Sequence, residues 1–203
     1  MILVRRAFIA VGLLGLLACG GLLMTWTGRA PVAQTPLPVF GVVPTFSLIN
    51  QSGASVDRDA LRGSVWIAEF IFTRCAGQCP LMAARLAQLQ RHFAREPRVR
   101  FVSITVDPAH DTPAALAAYA RRYDADLARW SFLTGDAEAI RALAQQGFHL
   151  GLSDDGSVQE PITHSVKLVL VDSASRIRGY YDATDPRAMD RLKMDATRLL
   201  PRA

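Results

Sequence analysis

Cys75 and Cys79 stand four residues apart in the segment Phe70-Ile71-Phe72-Thr73-Arg74-Cys75-Ala76-Gly77-Gln78-Cys79-Pro80, where an apolar run gives way to a helical pattern. Two sulfurs at this spacing face each other across a loop and a first helical turn, which suits either a reversible disulfide or chelation of one metal ion. The free amides and dipole of a helix start, with the charge of Arg74, favour thiolates near neutral pH. The plainer alternative is a pair of small core hydrophobes, but Gly77 and Pro80 mark a shaped turn and not a packed run. The chain's third cysteine is Cys19, and three in 203 residues are too few to staple a domain of this size. Chemistry must account for Cys75 and Cys79.

A thiolate pair selects soft ions such as Cu(I) or Zn(II), and a third ligand is then expected. Four histidines are candidates. His92 falls on a helix opposite Met82 and Leu89 and is expected in solvent. His110 lies in the turn from Val106 to Thr112, where Asp111 and Thr112 suffice as helix caps. His149 follows a helix end. His164 immediately precedes Ser165 and the apolar strand Val166 to Val171. In thioredoxin-like folds the loop entering that strand packs beside the cysteine motif, so His164 is the expected third ligand. Glu69, inside the strand leading to Cys75, is expected to be a paired polar residue at a sheet face, with an acid serving the site as the alternative.

Positioning these groups falls to alternating strands and helices. Thr45 to Ile49 and Ser55-Val56 surround Asn50-Gln51-Ser52-Gly53, which predicts a hairpin at a sheet edge. Val65 to Phe72 is apolar almost throughout, as expected of a central strand buried on both faces. Behind Pro80, the spacing of Met82, Leu86, Leu89 and Phe93 predicts a helix. Val99 to Val106 is the next strand, and Thr112-Pro113 opens a helix through Leu116, Tyr119 and Tyr123. Trp130 to Leu133 reads as a short strand. Asp136 caps a helix through Ile140 and Leu143 that Gly147 ends. Val166 to Val171 and Ile177 to Tyr181 form a strand pair, and Asp185-Pro186 opens a last helix through Met189, Leu192, Ala196 and Leu199. Leu150 to Thr163 reads as a long polar loop. This order predicts an α/β, thioredoxin-like fold: a central mixed sheet flanked by helices, with an N-terminal hairpin and an insertion before the third core strand.

The formal charge of +5 is concentrated at one end, because Arg5, Arg6 and Arg29 flank the uncharged run Ala7 to Trp26. From Ala30 onward 20 basic residues face 18 acidic ones, a balance that gives no nucleic-acid signal. About 20 apolar residues at about 1.5 Å each would span a hydrocarbon core of about 30 Å. The positive-inside bias then leaves the N-terminus in the cytoplasm and the rest outside. The expected organisation is a membrane anchor or signal over 1–29, a proline-rich linker over 30–43 and one thioredoxin-like domain over 44–203. An uncleaved anchor, a lipoprotein acylated at Cys19 behind Leu16-Leu17-Ala18, and a cleaved signal remain alternatives. Each exports the domain.

The motifs resemble the Sco/SenC family. That pattern has a strand ending Phe-x-Phe-Thr-x-Cys, three residues and Cys-Pro; then Val-Asp-Pro-x-x-Asp-Thr; then aromatic-x-x-Leu-Thr-Gly; and finally His-Ser or His-Thr before an apolar strand. Phe70 to Pro80, Val106 to Thr112, Trp130 to Gly135 and His164-Ser165 match it in order. The resemblance implies a metallochaperone on the periplasmic face of an inner membrane. It implies one Cu(I) or Cu(II) per chain, held by Cys75, Cys79 and His164, and delivery to the dinuclear copper site of cytochrome c oxidase or to another copper enzyme. Other copper chaperones or thiol reductants would be further partners. The chain departs from the family with Ala76-Gly77-Gln78 between the cysteines and Glu160-Pro161-Ile162-Thr163 before the histidine. The competing reading is a membrane-tethered thiol-disulfide oxidoreductase that keeps client cysteines reduced, with Cys75 and Cys79 as its redox pair; enzymatic activity is left open. A thiol peroxidase fits less well, since Thr73 stands two residues before Cys75 and such enzymes use three.

Overall fold

The computed structural model describes residues 35–153 and 163–201, with only the backbone of Thr163 and His164. From Leu37 onward the described residues form one compact unit. Its strands are β1 (Gly41–Val42), β2 (Ser47–Asn50), β3 (Ser55–Asp57), β4 (Val65–Ile71), β5 (Val99–Thr105), β6 (Trp130–Thr134), β7 (Leu152–Ser153), β8 (Thr163–His164), β9 (Lys167–Val171) and β10 (Arg176–Asp182). The α-helices are α1 (Cys79–His92), α2 (Pro113–Arg122), α3 (Ala137–Ala142) and α4 (Pro186–Leu199).

Eight of these strands make one mixed sheet in the order β1-β10-β9-β4-β5-β6-β2-β3. β4 lies inside it, parallel to β5 and antiparallel to β9. All seven of its residues are buried, which is why its sequence does not alternate. Val65, Ile67 and Ile71 turn towards Met82, Leu86 and Leu89 of α1, Leu116 and Tyr119 of α2, and Leu192 of α4. Trp66, Ala68 and Phe70 turn towards Ile140 and Leu143 on the other side. The sheet is therefore covered on both faces, and the loop after β4 is delivered at its edge by a strand that has no freedom to shift.

Helix starts follow the predicted chemistry. The Thr112 hydroxyl accepts Ala115 N–H, Asp136 accepts Ala139 N–H, and Asp185 accepts Arg187 N–H. α1 differs, because Gln78 supplies no side-chain cap. α3 runs on into a π-helical turn, Leu143–Gly147, and a Cβ on Gly147 would come within 2.9 Å of the Pro44 ring. Close approach, and not only helix termination, requires glycine there.

Two features have no signal in the sequence pattern. β1 emerges from the proline-rich stretch and pairs with β10, and Arg178 donates to the Leu37 and Pro38 carbonyls. The long polar stretch after Leu150 begins and ends in strands, since β7 and β8 pair antiparallel with Leu152 opposite His164.

Candidate metal centre

The approach to the cysteines is fixed by backbone bonds. Val106 N–H donates to Ile71 O at 2.8 Å and extends the β4–β5 ladder past its end. Cys75 N–H then donates to Phe72 O at 3.2 Å, closing a tight turn. Four residues later Cys79 opens α1 with Pro80 behind it. The turn and the helix start bring the Cys75 and Cys79 side chains into hydrogen-bonding contact, both of them reduced. Cys79 is fully buried and Cys75 half-buried, so one sulfur of the pair reaches the surface.

The expectation that the helix start would favour thiolates fails at Cys79. Burial pushes its thiol up, and the neighbouring Cys75 adds to this, while a backbone hydrogen bond involving Phe72 opposes it more weakly. A sulfur enclosed in the apolar layer loses water on all sides, and the dipole of one helix does not replace it. Nor does the Arg74 charge serve the sulfurs. Its guanidinium donates to Asp107 at 2.7 Å and touches His110 Nδ1 at 2.9 Å. Asp107 Oδ1 lies 2.8 Å from the same Nδ1. A carboxylate only accepts and a guanidinium only donates, so the two contacts call for opposite tautomers and Nδ1 bonds to one of these neighbours at a time. Burial pushes Asp107 up, but the bonds from His110 and Arg74 outweigh it and hold the carboxyl below 3.8.

The histidines separate clearly. His92 is exposed beside the Phe93 ring, as expected. His110 is committed to Asp107 and Arg74. His149 is exposed, adopts φ of 53°, and borders a surface cavity of about 430 Å³ with Phe40, Lys167 and Tyr180. His164 is placed on β8 opposite Leu152, and Ser165 N–H donates to Gly151 O at 3.2 Å. The His164 imidazole lies outside the described residues. Among those residues no three His, Cys, Asp or Glu side chains gather as a metal cage.

Of two buried acids, one takes a role that local spacing did not assign and the other is the paired sheet-face residue expected. Thr112 caps α2 unaided, and Asp111 is instead fully buried, accepting bonds from Thr73 and Thr105. Glu69 is fully buried on the α1 face of β4, directly opposite Ser103 on β5. The Ser103 hydroxyl donates to its Oε1 at 2.6 Å and itself accepts Trp130 Nε1–H, whereas Oε2 has no partner. Glu69 is thus paired on one oxygen only, and desolvation pushes its carboxyl up to about 8.

The SCO1/SenC family model matches residues 36–197. The chain belongs to the SCO1/SenC family. A putative copper-binding protein of Stutzerimonas stutzeri is 30% identical over 81% of this chain and 78% of its own length. The structure of a SCO1/SenC family lipoprotein from Bacillus anthracis superposes with a TM-score of 0.74 at 29% identity, covering 81% of this chain and 99% of the other. BsSco, described as a member of the Sco family of cytochrome c oxidase assembly proteins with a disulfide switch, gives 0.70 at 30% identity, covering 82% and 97%. The mixed sheet with helices on both faces is the thioredoxin-like Sco fold expected from the element order. The anchor or signal expected over 1–29, with Cys19, lies outside the described residues. Among those that are described, no helix is long and apolar enough to cross a membrane.

Proposed function

We propose that this Sco/SenC chain holds one copper ion through the sulfurs of Cys75 and Cys79 and the imidazole of His164. It then delivers the ion to the dinuclear copper site of cytochrome c oxidase or to another copper enzyme. The observation that carries the reading is the contact between two reduced sulfurs, one half-exposed and one buried, at a strand-helix junction. Two soft donors already in contact suit Cu(I). The names of the relatives from Stutzerimonas and of BsSco support copper and oxidase assembly respectively. Metal binding must displace the Cys79 proton, so copper affinity rises with pH.

The domain works outside the cytoplasm, tethered by residues 1–29, a reading that the lipoprotein relative supports. The competing reading, a thiol-disulfide oxidoreductase, draws on the same sulfur pair. Metal analysis of the reduced chain loaded with Cu(I) separates the two. One copper per chain, retained through gel filtration against a weak competitor, is the expected result. Loss of copper from a chain that still reduces protein disulfides would favour the oxidoreductase.

A further inference from the structure

Both residues that precede Cys75 are fastened to the loop between β5 and α2. Asp111 Oδ2 accepts Thr73 N–H at 3.0 Å and the Thr105 hydroxyl, and Oδ1 accepts the Thr73 hydroxyl. Thr105 Oγ1 in turn accepts Asp107 N–H at 3.0 Å, and Asp107 accepts Arg74. One buried carboxylate is therefore the hub of a hydrogen-bonded path from Thr73 to Arg74 by way of the neighbouring loop. A carboxylate withdrawn from water is costly unless donors replace that water. Helix capping does not call for it here, because Thr112 already caps α2.

We infer that Asp111 is a positioning residue for the thiol pair: its carboxylate fixes the turn from Phe72 to Cys75 so that the Cys75 sulfur meets that of Cys79. The copper half of this inference rests on the function proposed above; the disulfide half does not. Chelation and disulfide formation both require two sulfurs held together. If the turn is loose in the free protein, the cost of ordering it falls on the binding or bond-forming step. Asp111→Asn presents an N–H₂ group where an oxygen accepted, so donors face donors. Thr73→Val deletes only the hydroxyl bond at nearly constant volume, and Thr73→Ser keeps it.

The test uses the full-length chain and these three variants. Cu(I) affinity is measured by competition titration, and the Cys75–Cys79 disulfide equilibrium is measured against dithiothreitol. Circular dichroism and an unfolding curve identify the folded state for each. Asp111→Asn is expected to lower both constants at least about tenfold, as fits loss of a charge-assisted bond, and Thr73→Val to lower both several-fold. Thr73→Ser is expected to stay within about twofold of wild type. If Asp111→Asn does not fold, the contrast between Thr73→Val and Thr73→Ser decides. A role confined to the scaffold would lower the unfolding midpoint and leave both constants of the folded protein unchanged, which overturns the inference. Wild type that fails to bind Cu(I) would sink the copper reading and leave the disulfide constant to judge Asp111.

Discussion

Glu69 offers a direct measurement of what the buried layer beneath the cysteines costs. Its carboxyl is pushed from 4.5 up to about 8 by desolvation, against a smaller opposing effect of the Ser103 bond. Folded protein therefore holds a neutral acid at pH 7, while the unfolded chain ionises above 4.5. Folding takes up a proton in that window, so stability is full below pH 4.5, falls as pH rises and levels off above about 8. The slope is about 1.4 kcal/mol per pH unit, and the whole interval corresponds to about 5 kcal/mol. Glu69→Gln keeps an oxygen for the Ser103 hydroxyl but cannot titrate. Urea unfolding of the reduced wild type and variant from pH 5 to pH 8 gives two curves whose difference cancels every other titrating group. Relative to wild type, the variant should gain up to about 1.4 kcal/mol per pH unit near pH 6 to 7, with a shallower slope towards pH 5 and pH 8, and about 2 to 3 kcal/mol between pH 5 and 7. Any fixed penalty for the amide N–H₂ displaces the whole difference without changing its slope. A difference that stays flat within about 0.5 kcal/mol would refute the buried neutral acid.

Three further outcomes are expected. Mild oxidation should link Cys75 to Cys79 and abolish stoichiometric Cu(I) uptake, since a disulfide offers no thiolate pair; tight uptake by the oxidised chain in a competition titration would rule out the two-sulfur site. His164→Ala should weaken Cu(I) roughly tenfold or more and remove the Cu(II) absorption band more completely, because the harder ion depends more on imidazole nitrogen; alkylation rates of Cys75 and Cys79 should persist. Protease added to intact spheroplasts should digest the body from residue 31 onward, and protection until lysis would contradict export.

Much of the fold is legible because its signals are local. The uninterrupted apolar run of β4, the helical stripe from Met82 to Phe93 and the caps at Thr112, Asp136 and Asp185 depend on neighbours a few residues away, and the structure reproduces each. β1 escapes notice because two residues cannot display a period, and its pairing partner Ile177 lies far along the chain. Asp111 misleads for a related reason. Standing before Thr112-Pro113, it looks like part of a helix cap, but its donors include Thr73, 38 residues away. No spacing rule reaches that distance.

Cys79 shows where local reasoning reverses sign. The helix start and Arg74 both argue for a thiolate, and each is present as predicted. Packing then encloses the sulfur, and the buried Asp107 takes the guanidinium. The result is an asymmetric pair. On the proposed function, a metal ion or a thiol partner arriving from solvent would meet the half-exposed Cys75 first. The buried Cys79 keeps its proton until the incoming group is close enough to replace it, because ionisation without a partner would leave an unpaired charge in the apolar layer. If copper is held as proposed, burial at one sulfur makes proton release part of capture, and it keeps the thiol that a passing oxidant reaches distinct from the thiol that would complete the site.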